Sequence, residues 1–348
     1  MRRKTRPVQV GNVTIGGESP ISIQSMTNTS TSDILQTIHQ IKRLETAGAE
    51  LIRVTVNDKA AAEAIPALKQ AASVPLVADI HFDHRLALMA IEAGIDKLRI
   101  NPGNIGDQDA IRQVVEAAKA KKIPIRIGVN GGSLEKHLLE RHGGVTPQAL
   151  FESAYEHIKI LEDLDFFDII VSIKASHIDT TLEAYDLLAS KVDYPFHIGI
   201  TEAGTKFKGT IKSSIGIGAL LLKGYGDTIR VSLTADPVEE IPVCKEILNS
   251  LGIRQYGIDF ISCPTCGRTQ TNMIEIAEAI EEQTKDLNKH LTVAVMGCAV
   301  NGPGEAKEAD LGVACGKGMG LIFSKGEIVK RVDEKDIVST MVTMIKDF

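Results

Sequence analysis

The sequence predicts an α/β protein: an N-terminal (β/α)8 TIM barrel over residues 1–253 and a smaller C-terminal α/β domain over residues 254–348. Three observations predict it. Short β-branched-rich segments alternate with longer segments of helical periodicity, a pattern that implies parallel strands joined by outer helices. Eight such strands fall within about 215 residues, the count and length of a barrel. Near Gly252 the alternation breaks and a differently spaced, cysteine-bearing pattern begins. An open doubly wound sheet is the competing arrangement. No G-x-G-x-x-G follows the first strand, which weakens its dinucleotide-binding form.

The elements follow in order. Val8–Gly16 (VQVGNVTIG) predicts a hairpin turning at Gly11-Asn12 and placed to plug the N-terminal mouth of the barrel. The predicted barrel strands are 20–26, 51–56, 76–82, 97–101, 124–130, 169–175, 196–201 and 229–234, most of them bounded by turn residues. Helices are predicted over 32–47, with a stop at Gly48, and over 59–72, 84–93, 108–121, 180–190 and 237–251. The long interval from Asn130 to Ile169 holds an extra helix. The second domain reads as a strand 256–262, a helix 271–286, strands 291–296, 319–324 and 327–332, and a terminal helix 335–346.

Composition excludes several function classes. Of the 348 residues 43% are hydrophobic and 24% charged, which excludes a disordered chain. No stretch approaches 18 uninterrupted apolar residues, so no transmembrane helix is expected. The basic N-terminus lacks the apolar core of a secretory signal. A net charge of −6 and the absence of Trp argue against nucleic-acid binding, while leaving room for a local cationic pocket. The odd set of five cysteines, Cys244, Cys263, Cys266, Cys298 and Cys315, points to free or metal-bound thiols in a reducing compartment, the cytoplasm.

Barrel interiors are normally filled by Val, Ile and Leu. Here the strands carry polar groups toward their C-terminal halves: Gln24, Arg53, Asp79, His81, Arg99, Asn101, Arg126, Asn130, Lys174, His197, Glu202, Arg230 and Ser232. On barrel strands many of these converge on one mouth, where unpaired charge is costly to desolvate. Arg53, Arg99, Arg126, Lys174 and Arg230 face only Asp79 and Glu202, an excess of about three positive charges. That excess predicts an anionic ligand, and a diphosphate suits Arg and Lys contacts. Asp79 and His81 also read as structural partners of the arginines. The Gly209–Gly216 segment follows the seventh strand, where barrels often bind phosphate, and reads equally as a helix N-cap. His142, His157 and His177 read as surface residues, and Cys244 as a buried helix residue.

Cys263-Pro-Thr-Cys266 admits a redox disulfide, a zinc knuckle or an iron–sulfur site. A third thiol in the glycine-rich run Met296-Gly-Cys298-Ala-Val-Asn-Gly-Pro-Gly-Glu305 favours the last, because zinc would want a second C-x2-C or a His pair downstream. Cys315 or Glu305 could supply a fourth ligand.

CPTCGRTQ and MGCAVNGPGEAKEADLG closely resemble the cluster domain of the 4-hydroxy-3-methylbut-2-en-1-yl diphosphate synthase family of the non-mevalonate isoprenoid pathway. SIQSMTNT, IRVTV, VADIHF, LRINPGNIG, RIGVNGGSL, IKAS and GITEAG resemble its barrel in the same order, from about Pro7 to the C-terminus. The resemblance implies a TIM barrel followed by an iron–sulfur domain similar to those of sulfite and nitrite reductases. It implies a [4Fe–4S] cluster on Cys263, Cys266, Cys298 and Glu305, which decides the fourth ligand against Cys315. It also implies reductive ring opening of 2-C-methyl-D-erythritol 2,4-cyclodiphosphate to (E)-4-hydroxy-3-methylbut-2-enyl diphosphate, with flavodoxin or ferredoxin as electron donor. Only about 28 residues separate Thr234 from Cys263, so the chain resembles the two-domain bacterial form. In that form the family is a homodimer, the barrel of one subunit facing the cluster domain of the other.

On this reading Arg53, Arg99, Arg126, Lys174 and Ser232 hold the diphosphate with Asn130 assisting, and Glu202 donates a proton or orients a hydroxyl. Asp79, His81 and Arg230 stand in a second rank. Two alternatives remain: a cluster- or zinc-bearing sensor that binds a phosphorylated metabolite without turnover, and an aldolase or isomerase using Lys174 as a Schiff base.

Overall fold

The computed structural model describes residues 2–348 apart from 270, 286, 288 and 299–307, so the expected ligand Glu305 lies outside the described residues. The chain divides into two compact units, Met1–Ile247 and Leu248–Phe348.

In the first unit, β1 (Val8–Val10) and β2 (Val13–Ile15) pair antiparallel across a turn at Gly11, whose φ of 55° lies in the left-handed region. Val8, Val10 and Ile15 pack on Leu51, Val77 and Ile170 from three barrel strands, so the hairpin closes the N-terminal end of the barrel with aliphatic side chains. The barrel strands are β3 (Ser22–Met26), β4 (Leu51–Thr55), β5 (Leu76–Asp79), β6 (Lys97–Ile100), β7 (Ile125–Asn130), β8 (Ile169–Lys174), β9 (His197–Ile198) and β10 (Thr228–Ile229). They pair in parallel in the order β8-β7-β6-β5-β4-β3-β10-β9, and a parallel bridge from Val171 to Phe196 joins the two ends.

The last two strands are shorter than the sequence predicts. Beyond Ile198 and Ile229 the chain carries Thr201, Glu202, Arg230 and Ser232, and Glu202 has a φ of 51°, which ends the extended run.

Helices α1 (Ile34–Ala47), α2 (Lys59–Ala71), α3 (His84–Glu92) and α4 (Gln108–Lys121) each start behind an aspartate. Asp33, Asp58, Asp83 and Asp107 accept a first-turn backbone N–H, so every one of these βα loops ends on its own cap. The long interval after β7 holds α5 (Lys136–His142) and α6 (Pro147–Glu162), and α7 (Ile178–Ala189) follows β8.

One segment differs from the sequence reading. Gly209–Gly216 is not a loop but lies within α8 (Lys206–Leu222). The buried face of α8 is built from small residues, among them Gly209, Ser213 and Gly216, while Phe207, Ile211 and Ile215 face outward. Large apolar residues thus fall on both sides of α8, Ile217 and Leu220 buried with the small ones and Phe207, Ile211 and Ile215 exposed, which blurs the helical periodicity. The barrel closes with α9 (Glu240–Ser250).

The second unit is a five-stranded sheet in the order β11-β12-β13-β14-β15. Its strands are β11 (Ile258–Ser262), β12 (Leu291–Met296), β13 (Leu311–Gly316), β14 (Met319–Ser324) and β15 (Glu327–Asp333). The first three are mutually parallel, with α10 (Met273–Thr284) connecting β11 to β12, and the last three are antiparallel. The terminal helix Ile337–Asp347 packs Ile337, Met341 and Ile345 into a core shared with Ile276, Ile280, Val293 and Val313.

Strand β13 escapes the sequence reading. Its LGVACG is rich in small residues, and the structure shows why they are small. A Cβ on Gly312 would lie 2.2 Å from the ring of Phe323 on the neighbouring strand.

The plug generates a stability prediction. Ile15 is fully buried against barrel strands. Ile15→Ala is expected to cost about 2–5 kcal/mol of barrel stability, read as a lower urea midpoint for the barrel transition.

Candidate functional site

The C-terminal mouth of the barrel is a polar cavity. Its walls include Arg53, Asp79, His81, Arg99, Arg126, Asn130, Lys174, Thr201, Arg230 and Ser232. The closed strand order brings together residues that are 179 positions apart in the chain, Arg53 and Ser232 at the extremes.

Asp79, at the end of β5 and 4% exposed, is the centre of the arrangement. Its Oδ1 accepts from Arg99 Nη1 at 3.1 Å, while Arg53 Nε and His81 Nε2 lie 3.8 and 3.4 Å from its Oδ2. Burial opposes its ionisation, yet Arg53, His81 and Arg99 outweigh burial and hold the carboxyl far below the usual range. Arg99 is fixed further by donating to the Gly128 carbonyl at 3.0 Å. Arg53, pulled down to about 10 by burial, donates to the Met26 thioether through Nε and Nη2 at 3.0 and 2.8 Å.

Arg126 is different. It is 1% exposed, and its Nε and Nη1 are buried without a partner. Burial first, and then Arg53 and Arg99, disfavour its charge. Lys174 is partly exposed to the cavity, and burial together with the neighbouring Arg230, Arg53 and Arg126 holds its proton affinity well below that of an ordinary lysine. An unpaired cation in a dry site is costly, and an incoming anion would relieve it.

Arg230 finds a carboxylate that the sequence reading missed. Its Nε and Nη2 donate to Glu240 at 3.4 and 3.5 Å, and Glu240 also accepts from Ser25 Oγ and Leu233 N. Glu240 opens α9, where an acidic residue reads as an ordinary first-turn helix signal. Glu202, by contrast, does not line the cavity. It follows the lining Thr201, and its carboxylate accepts from Ser176 Oγ. The formal excess over the lining cations is still three: five cations, less Asp79 and Glu240.

Of the three histidines read as surface residues, His157 is buried. It meets Glu135 at 3.2 Å and packs behind Gly103, so it braces the loop after β6. His142 pairs with Glu152, and His177 is exposed.

In the second unit the thiols gather at one end of the sheet. Cys263 follows β11 directly and donates its N–H to Val295 of β12 at 3.0 Å, and Cys298 stands two residues past the end of β12. Between Cys263 and Cys266, Thr265 takes a φ of 60°. The backbone N–H of Cys266 donates to Thr269 Oγ1 at 3.2 Å. A Cβ on Gly297 would sit 3.0 Å from that same hydroxyl, so a bare glycine lets the Cys298 loop lie against the Cys263–Cys266 loop. Hydrogen bonding from Arg268 favours the Cys266 thiolate.

Among the described residues, no three His, Cys, Asp or Glu side chains converge within reach of one metal ion. The fit to an iron–sulfur group is one of donor type and loop placement. Cys315 lies buried in the core of the unit with its thiol pushed up to about 11, and Cys244 in the first unit is buried with its thiol at about 12, both by burial.

A barrel with a cation-rich mouth, followed by a small α/β unit with three cysteines on loops at one sheet end, defines a two-part barrel protein. Residues 5–245 match the GcpE TIM-barrel domain and residues 259–347 the GcpE protein C-terminal domain. The chain belongs to the GcpE family.

It is 58% identical over 345 residues to a protein of Clostridium perfringens (strain 13 / Type A) named 4-hydroxy-3-methylbut-2-en-1-yl diphosphate synthase (flavodoxin), covering 99% of each chain. A protein of the same name from Geobacter sulfurreducens is 54% identical over 346 residues, covering 99% of this chain and 98% of that one. Among solved structures, N-acetylneuraminic acid synthetase from Leptospira borgpetersenii shares 16% identity at a TM-score of 0.52, over 83% of this chain and all of that one. Dihydropteroate synthase from Stenotrophomonas maltophilia shares 12% at 0.51, over 72% of this chain and all of that one. These two show the barrel fold alone. No helix among the described residues is long and apolar enough to cross a membrane.

Asp79 generates a pH prediction. Its folded-state pKa is depressed, so its stabilising contribution is complete above the ordinary carboxylate pKa near ~4 and drains away as pH falls below it. Asp79→Asn is expected to lose about 3 kcal/mol at neutral pH, by leaving buried guanidiniums unpaired. It should also flatten the acid limb of a stability–pH curve measured by urea unfolding.

Proposed function

We propose that this chain performs the reaction for which its relatives are named: reductive ring opening of 2-C-methyl-D-erythritol 2,4-cyclodiphosphate to (E)-4-hydroxy-3-methylbut-2-en-1-yl diphosphate, with loss of water. The observation that supports it most is Arg126, a buried guanidinium whose Nε and Nη1 have no partner among the described residues.

Arg53, Arg99, Arg126 and Lys174 bind the diphosphate, with Ser232 and Asn130 supplying neutral hydrogen bonds at the rim. As the ring opens, negative charge grows on the departing phosphate oxygen. Preorganised cations in a dry site stabilise that charge more than they stabilise the ground state. Asp79 holds Arg53 and Arg99 in place, with His81 beside it, and Glu240 does the same for Arg230. Glu202, beside the mouth and hydrogen-bonded to Ser176, orients the hydroxyl that leaves as water or gives it a proton.

Cys263, Cys266, Cys298 and Glu305 would hold a [4Fe–4S] cluster. When bound, that cofactor supplies one-electron reduction, which side-chain acid–base groups cannot do. The sheet-end placement of the thiols supports this assignment. Flavodoxin is the electron donor in the relatives' name, and we extend it to this chain, with ferredoxin as the alternative donor. Following the family, the functional form is a cytoplasmic homodimer in which one subunit's barrel faces the partner's cluster unit. The binding-only alternative has no observation in its favour; the lowered proton affinity of Lys174 would suit a Schiff base, but that reading leaves the thiols of the second unit unused.

Protein purified without oxygen should contain about four irons with matching acid-labile sulfide per chain, and should convert the cyclic diphosphate when supplied with a reductant. Stoichiometric zinc without sulfide, after reconstitution has been tried, would overturn the proposal. Arg126→Met is expected to leave the melting temperature unchanged or raised, because it removes an unpaired buried charge, while kcat/KM falls by ~100-fold or more. Full turnover at low substrate in that variant would remove Arg126 from the diphosphate site.

A further inference from the structure

Below the anion pocket lies a second polar layer that the proposed chemistry does not use. Side chains alternate along a strand, so residues two apart share a face. On β6, Arg99 lines the pocket, which places Lys97 on the same face one layer deeper. His197 on β9 lies four residues before the lining Thr201, toward the strand start. Gln24 on β3 precedes Met26, whose sulfur meets Arg53 and Arg230. Lys97 and His197 are fully buried and Gln24 is 1% exposed.

The polar contact of Lys97 Nζ is Gln24 Oε1 at 3.4 Å, and among the described residues no carboxylate comes within ion-pair distance of it. Both ring nitrogens of His197 and Nε2 of Gln24 are buried without partners.

Charged groups face this layer from every side. Arg53 comes from β4, Arg99 from β6, Arg126 from β7, Lys174 from β8 and Arg230 from the end of β10. The nearby carboxylates are already engaged, Asp79 with Arg99 and Arg53, and Glu240 with Arg230. Burial and the guanidiniums of Arg126 and Arg53 hold the proton affinity of Lys97 well below that of an ordinary lysine. A bound diphosphate would cancel most of the excess positive charge that this amine feels from above.

We infer that Lys97 is a neutral amine in the ligand-free barrel and takes up one proton from solvent when a diphosphate fills the pocket above it, becoming an ammonium that donates to Gln24. The inference rests on the anion-pocket reading given above. Uptake of a proton on binding means that affinity weakens as pH rises, by up to ~10-fold per pH unit between the free and bound pKa values of Lys97. Lys174 and His197 are the other groups able to take that proton, and the test separates them.

The probe is inorganic pyrophosphate, titrated calorimetrically into the full chain, purified without oxygen and reconstituted with iron and sulfide. Titrations at one pH in buffers of different ionisation enthalpy give the protons taken up. Relative to wild type, Lys97→Met should still bind while taking up about one proton fewer. Equal uptake in wild type and Lys97→Met overturns the inference, as does loss of that proton in Lys174→Met or His197→Phe instead. Absence of any pyrophosphate heat in wild type overturns the anion-pocket reading, and this inference with it. If Lys97→Met does not fold, [ε-13C]lysine labelling of the wild type reads the charge directly. The Lys97 signal should move from its amine to its ammonium position on saturation with pyrophosphate, and an unmoved signal overturns the inference.

Discussion

The first unit depends on one constraint: five cationic side chains share one end of a barrel with two carboxylates. Asp79 makes the arrangement foldable. From a single buried position on β5 it touches Arg53 on β4, Arg99 on β6 and His81 in the following loop. Without it the guanidiniums of Arg53 and Arg99 would face one another with no carboxylate between them. With it two guanidiniums are held in fixed directions, while Nε and Nη1 of Arg126 have no partner among the described residues. The mouth therefore carries buried positive charge that the described residues leave incompletely paired.

A barrel that carries such a mouth needs compensation elsewhere, and the opposite end supplies it. The β1–β2 hairpin turns Val8, Val10 and Ile15 into the N-terminal opening, where they meet Leu51, Val77 and Ile170. Each of these strands is thus aliphatic at its start and, together with its neighbours, polar toward its end. Aspartate caps start four of the outer helices, which keeps the loops at the mouth short and their backbone donors satisfied. Lys97, Gln24 and His197 lie between the apolar plug and the charged mouth, which is why their polar atoms find so few partners.

The second unit solves a different problem. Its thiols must lie on loops that can approach one another, and the sheet provides this by ending two adjacent parallel strands at Cys263 and just before Cys298. The absence of a side chain at Gly297 brings the second loop against Thr269 of the first. Small residues serve the same end in β13, where Gly312 admits the ring of Phe323.

The sequence by itself determined the βα alternation, the order of the barrel strands, the hairpin, the excess of positive charge and the cysteine spacing. All are local or additive properties: periodicity, turn residues, counts and short motifs. Tertiary structure alone decided which groups meet. It paired Arg230 with Glu240 rather than leaving Glu202 as the second carboxylate of the mouth. It buried His157 behind Gly103, and it turned the small residues Gly209, Ser213 and Gly216 of α8 inward while leaving Phe207, Ile211 and Ile215 exposed. It also made a strand of LGVACG. Each of these depends on a partner distant in the chain, and periodicity within a segment carries no information about what lies across from it. The same reason separates Arg126 from the other arginines. In the sequence it is one cation among five, and only a closed barrel shows that its Nε and Nη1 are buried with no partner among the described residues.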